Sequence, residues 1–133
     1  MKNSEITLIG QYIKDLSFEN PMAPNLPSQD KNPTVNLDIN TTYVDLKNNN
    51  HEVNLIIKST ATIDNQAIFM MELQYAGLIK TIVKSEEDKK KLIISASYLL
   101  FPYARSIISN ITMEGGFKPL VIQPIEFEKM YKK

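Results

Sequence analysis

The chain has 133 residues, no cysteine, a single histidine and fifteen basic side chains balanced by fifteen acidic ones. That length suits one domain, 1–133, which buries roughly two-thirds of the surface its unfolded form exposes. The zero net charge argues against nucleic acid as the main partner and gives no support to membrane attraction, and the missing cysteines exclude disulfides, thiolate metal sites and a cysteine nucleophile.

The opening stretch, MKNSEITLIGQYI, lacks the pattern of a signal peptide, and no apolar run is read as membrane-spanning in length. A cytoplasmic protein is therefore expected. On that reading Asn40-Thr41-Thr42 and Asn110-Ile111-Thr112 are chance sequons that carry no glycan.

From Ile6 to Phe18 an imperfect period of two places Ile6, Leu8, Tyr12, Leu16 and Phe18 on one face and Thr7, Gln11, Asp15 and Ser17 on the other. This predicts a first strand on which Asp15 and Glu19 share the wet side. Both a plain solvated face and a functional one fit those two carboxylates. Asn20 to Pro33 holds four prolines without periodicity, so it reads as a long irregular connection, either functional or simply a crossover between distant strands.

Thr34 to Leu46 alternates cleanly, with Val35, Leu37, Ile39 and Tyr43 against Asn36, Asp38, Asn40 and Thr42. Asn48-Asn49-Asn50 supplies a turn into a third run containing Val53, Leu55, Ile57, Ala61 and Ile63. Asp64-Asn65-Gln66 turns the chain again into Ala67 to Ile82, where Phe69, Met71, Leu73, Tyr75 and Ile79 make one apolar face. The opposite face mixes Met70, Glu72, Gln74, Ala76 and Leu78. A strand apolar on both sides is either central in a two-layer packing or part of a subunit contact.

Ser85 followed by Glu86, Glu87 and Asp88 predicts a helix N-cap and an acidic first turn, and Lys89-Lys90-Lys91 then reads as a solvated face. Apolar residues keep helical spacing from 92 to Met113, Gly115-Gly116 supplies the stop, and Pro102 predicts a kink. Gly115 to Phe127 is apolar but broken by Pro119 and Pro124, so it is expected to lie across a surface as a flap, with Pro124 opening a short helix that ends in Met130 and Tyr131. The predicted class is α+β: a four-stranded antiparallel Greek-key sheet, a long kinked helix and a short C-terminal lid helix.

Catalytic signals are absent from this pattern. His51 reads as a turn residue with no second imidazole, and no nucleophile elbow, P-loop or dinucleotide fingerprint occurs. Binding through apolar surface is favoured over catalysis, and no cofactor is expected.

Four stretches in order then resemble the SecB family of protein-export chaperones: Lys14-Asp15-Leu16-Ser17-Phe18-Glu19 with Pro21 and Pro24; Leu99-Leu100-Phe101-Pro102-Tyr103-Ala104-Arg105; Gly116-Phe117 through Leu120; and Gln123-Pro124-Ile125-Glu126-Phe127. The resemblance implies an ATP-independent chaperone, not an enzyme. Such a protein holds preproteins unfolded as a homotetramer, a dimer of dimers, and hands them to the SecA translocation ATPase. It implies SecA docking at Asp15, Glu19, Met70 and Glu72, a client groove at Leu37, Ile39, Leu120, Ile122, Phe127 and Tyr131, and effects on assembly at Met71, Leu73 and Tyr75. The chain departs from the acidic balance and acidic tail common in that family, which would weaken a broad negative field. Two other readings stand beside it: a SecB-like chaperone dedicated to one antitoxin, and a hotdog-like thioesterase, whose long helix usually comes early rather than after all four strands.

Overall fold

The computed structural model describes residues 6–27 and 30–131. Four strands, β1 (Thr7–Glu19), β2 (Thr34–Asp45), β3 (Asn50–Ile63) and β4 (Gln66–Lys80), are followed by helix α1 (Glu86–Glu114) and a short 3-10 helix, Phe127–Tyr131. The sheet order is β1-β4-β3-β2 with every neighbouring pair antiparallel. Three hairpin-linked strands and a first strand returned beside the last make the expected Greek key.

Local chemistry explains both hairpins. Lys47, Asn48 and Asn49 take positive φ (75°, 58° and 64°), and Asp64 and Asn65 do the same in the two-residue turn between β3 and β4 (52° and 65°). Asn and Asp accept that left-handed conformation more readily than most residues, and the twist of such turns matches that of the strands. The β2–β3 turn sits one residue earlier than expected, so Asn50 and His51 already belong to β3.

Register alternation divides the sheet into two faces. One carries Leu55, Ile57, Ala61, Phe69, Met71, Leu73 and Tyr75 against Leu100, Phe101, Ala104 and Ile108 of α1, and these form the main core. The side of α1 toward the sheet keeps that helix in the protein, although length and composition alone would let it cross a membrane. Its ends are capped as the sequence leads one to expect. Ser85 Oγ accepts from the Asp88 N–H at 3.1 Å, and Asp88 Oδ2 accepts from the Lys84 N–H at 3.1 Å. At the other end Phe117 N–H reaches the Thr112 carbonyl and Gly116 N–H that of Met113, both at 3.0 Å, with Gly116 at φ 93°. The helix runs through Pro102 without interruption.

Two β-bulges change what β1 presents. Register shifts between Leu8 and Gly10 and between Ile13 and Asp15 leave Ile9 and Lys14 as extra residues. Between the bulges the parity reverses. Ile13 therefore pairs with Tyr75 on the α1 face, while Tyr12 pairs with Ala76 and points to the outer face. This corrects the placement of Tyr12 with Leu8, Leu16 and Phe18, and it explains why the period of two looked imperfect.

The flap holds no strand from Phe117 to Glu126, as its prolines require. It is laced to α1 by hydroxyls: Ser109 Oγ donates to the Leu120 carbonyl at 2.6 Å, and Leu120 N–H donates to Thr112 Oγ1 at 2.9 Å. The terminal helix is a single 3-10 element that starts at Phe127, three residues beyond the proline expected to open it.

Candidate docking surfaces

The outer face of the sheet gathers one row of residues from two neighbouring strands. Asp15 stands opposite Gln74, Ser17 opposite Glu72, and Glu19 opposite Met70. Asp15 and Glu19 are exposed, Met70 and Glu72 half-buried. The second bulge makes this row possible, because residues after Lys14 resume the parity that turns odd positions outward. Lys58 and Thr60 continue the same level into β3, opposite Glu72 and Met70.

Beside that row lies a polar cluster that sequence reading missed. Glu52 is almost wholly buried on the outer face and accepts from Tyr12 Oη at 2.6 Å, Lys14 Nζ at 2.6 Å and Asn54 Nδ2 at 3.1 Å. Gln74 Nε2 in turn donates to Asn54 Oδ1 at 3.0 Å. Burial would raise the Glu52 carboxyl, but the hydrogen bonds from Lys14, Tyr12 and Asn54 outweigh it and hold the group below its ordinary value. Tyr12, partly desolvated and bonded to that carboxylate, is pushed up to about 12. The one available sequence signal was the break in alternation around Lys14.

The apolar cleft lies on the other side, under the flap. About 220 Å3 opens between Pro27, Lys31 and Pro33 of the crossover, Val35 of β2, Ile63, Ile68 and Phe69 of the β3–β4 hairpin, and Phe117, Pro119 and Leu120 of the flap. A register shift between Ala61 and Thr62 leaves Ile68 as an extra residue on β4. Adjacent Ile68 and Phe69 consequently line the same cleft, which a regular strand would forbid. Val35 shares its face of β2 with Leu37 and Ile39, so the apolar strip runs on along the strand. Leu37 is 41% exposed and Ile39 half-buried.

The residues named from the family resemblance fall into three groups. Leu37, Ile39 and Leu120 belong to the cleft or its extension. Ile122 and Phe127 do not: their exposures are 4% and 0%, and the Phe127 ring stands edge-on to Tyr98 and Phe101. They are core, sealed by the flap's attachment to α1. The side chain of Tyr131 lies outside the described residues. Met71, Leu73 and Tyr75, expected at an assembly contact, are likewise buried beneath α1. Of these three, Tyr75 comes nearest the surface, stacking at 6.5 Å on the exposed Tyr103.

His51 is not a turn residue. It is buried at the start of β3, with Nε2 donating to the Thr81 carbonyl at 3.0 Å and Nδ1 facing Tyr43 Oη at 2.8 Å. Both ring nitrogens are thus engaged in structure. Among the described residues no cluster of His, Asp and Glu is placed to hold a metal ion.

An outer face with an acidic row, a long helix behind the sheet and a cleft of interchangeable apolar contacts define a chaperone-type binding protein. The family described as SecB, preprotein translocase subunit SecB, matches residues 1–133. Protein-export protein SecB of Methylocella silvestris is 41% identical over 130 residues, covering 96% of this chain and 81% of that protein. Its namesake in Parvibaculum lavamentivorans is 38% identical over 131 residues, covering 97% and 78%. Among solved structures, the Mycobacterium tuberculosis SecB-like chaperone bound to a ChAD peptide from the HigA1 antitoxin superposes with a TM-score of 0.77 over 90% of each chain, at 12% identity, a likeness of fold. The chain belongs to the SecB family of protein-export chaperones.

Proposed function

We propose that this protein holds unfolded preproteins in the cytoplasm without ATP and delivers them to SecA. The observation that carries the reading is the apolar cleft continued by the Val35–Leu37–Ile39 strip, set on the opposite layer from the acidic row. An extended client can lay successive side chains along the strip. Each large apolar side chain buried contributes roughly 1.5–3 kcal/mol, so a few shallow contacts hold a client without reading its sequence. A folded client hides those side chains, and selectivity arises from competition with client folding.

SecA docks on Asp15, Glu19, Met70 and Glu72, where two strands present charge around a methionine that adapts to its partner. Assembly into a dimer of dimers draws on two further surfaces. β1 is an edge strand with Leu8, Ile9 and Ile13 exposed, and α1 exposes Tyr98, Leu99, Tyr103 and Met113. Met71, Leu73 and Tyr75 act on that assembly from below, by setting the position of α1.

The reading of a chaperone dedicated to one antitoxin shares this fold. The acidic row favours the export role. The deciding experiment mixes the purified protein at stoichiometric amounts with a slow-folding preprotein, without ATP, and follows refolding. A delay supports the proposal, and unaltered refolding refutes it.

A further inference from the structure

The bulge at Lys14 decides where the acidic row points. Continuing the parity of Ile13 without an extra residue would turn Asp15, Ser17 and Glu19 toward α1 and Leu16 and Phe18 toward solvent. A bulge inserts one unpaired residue and weakens the local ladder, so it needs support from elsewhere. Here the support comes from β3, two strands away. Glu52 holds Lys14 itself and Tyr12, which precedes the bulge by two residues, and both contacts measure 2.6 Å. Both contacts cross β4, which lies between β1 and β3, and the register partner of Tyr12 on that strand, Ala76, carries only a methyl side chain.

The same contact disposes of a charge. Lys14 is adjacent in sequence to Asp15, and a free ammonium there would oppose the carboxylate that a cationic partner must meet. Paired with Glu52, its Nζ is drawn toward β3 and its charge is offset.

We propose that Glu52, with Lys14 and Tyr12, is a positioning cluster for partner docking: it fixes the Lys14 bulge so that Asp15 and Glu19 face outward beside Glu72, and it withdraws the Lys14 charge from that row. The partner surface so served is one bearing lysine and arginine side chains. The inference rests on the reading of the row as the SecA docking site. Glu52 is a positioning residue that need not touch the partner.

The test compares Glu52→Gln, Lys14→Met and Lys14→Arg in the full chain, using calorimetric affinity for SecA and amide hydrogen exchange at Leu16 to Glu19. Glu52→Gln and Lys14→Met are expected to weaken SecA binding at least fivefold and to speed exchange in that segment about tenfold, while Lys14→Arg, which keeps the ion pair, stays within twofold of the parent in both. Delayed refolding of a preprotein verifies that each variant is folded. Unchanged affinity and exchange in Glu52→Gln would overturn the proposal, as would a loss of affinity in Lys14→Arg equal to that in Lys14→Met. A double variant, Asp15→Asn with Glu19→Gln, separates the two claims. If it binds SecA as the parent does, the docking assignment fails, whereas exchange in Glu52→Gln still reports on the clamp.

Discussion

The ring of Phe127 meets that of Phe101 edge-on, with centroids 5.8 Å apart and planes at 73°, and this contact ties the terminal 3-10 helix into the core beneath α1. Phe127 has no exposed surface. Phe127→Ala is therefore expected to cost about 3–5 kcal/mol in chemical denaturation, the cost of a large ring removed from a packed site. A loss of client holding without a loss of stability would instead mean that the ring is a groove residue.

Leu37 offers the opposite case. Its exposed position on an edge strand leaves little packing to lose, so Leu37→Asp should leave the denaturation midpoint within the change produced by about 0.5 kcal/mol. The charge nonetheless interrupts the apolar strip that begins at Val35. Refolding assays should show client affinity reduced severalfold.

Glu72 and Lys58 are register partners with opposite charges on the outer face. Reversing the first removes a docking carboxylate, and reversing the second removes its basic neighbour. Calorimetry should show SecA affinity lowered at least tenfold in Glu72→Lys and raised in Lys58→Glu, both effects shrinking as salt screens them. Changes of the same sign in the two variants would contradict the assigned surface.

Ser59 sits at 3% exposure on the α1 face between Leu37 and Met71, and its hydroxyl has no hydrogen-bond partner among the described residues. Removing an unpaired buried hydroxyl relieves its desolvation cost, so Ser59→Ala is expected to be neutral or to stabilise by up to about 1 kcal/mol. Ser97 is equally buried but donates to the Ile93 carbonyl at 2.8 Å. Comparing the two alanine variants by urea denaturation isolates the effect of the missing partner.

The Tyr12–Glu52 pair gives stability a limit on each side of neutrality. The Glu52 carboxyl lies below its ordinary 4.5 when folded, so its contribution is present above that value and lost as pH falls through the lower folded one. Tyr12 is raised from 10.0 to about 12, so its contribution is present below 10 and lost as pH rises toward 12. Tyr12→Phe should abolish a late tyrosine ionisation in the ultraviolet titration. It should also flatten the alkaline limb of the stability curve by about 1 kcal/mol, a figure reduced for the solvent around a partly exposed ring.

Much of this protein is written in local pattern. Period-two runs marked β2, β3 and β4, positive-φ turns followed from Asn and Asp, and Ser85 with Asp88 and Gly115-Gly116 bounded α1, because dihedral preference and backbone capping act within a few residues. Parity paired Asp15 with Glu19 and Met70 with Glu72, and the first pair faces outward because the two bulges of β1 offset one another. The prolines of the flap already excluded it from the sheet.

What remained was decided by contacts between distant parts of the chain. Alternation cannot show where a bulge reverses it, so the turn of Tyr12 to the outer face, its reach across β4 to Glu52 and the shared cleft of Ile68 and Phe69 appear only when strands are in register. Burial is equally non-local. Leu120 and Phe127 read alike as apolar flap residues, but one borders an open cleft and the other is closed in by Tyr98 and Phe101, because the hydroxyls of Ser109 and Thr112 set the path of the flap along α1. Composition and spacing determined the elements of this chaperone; register and packing between elements decided the faces of β1 and which apolar residues stay free to hold a client.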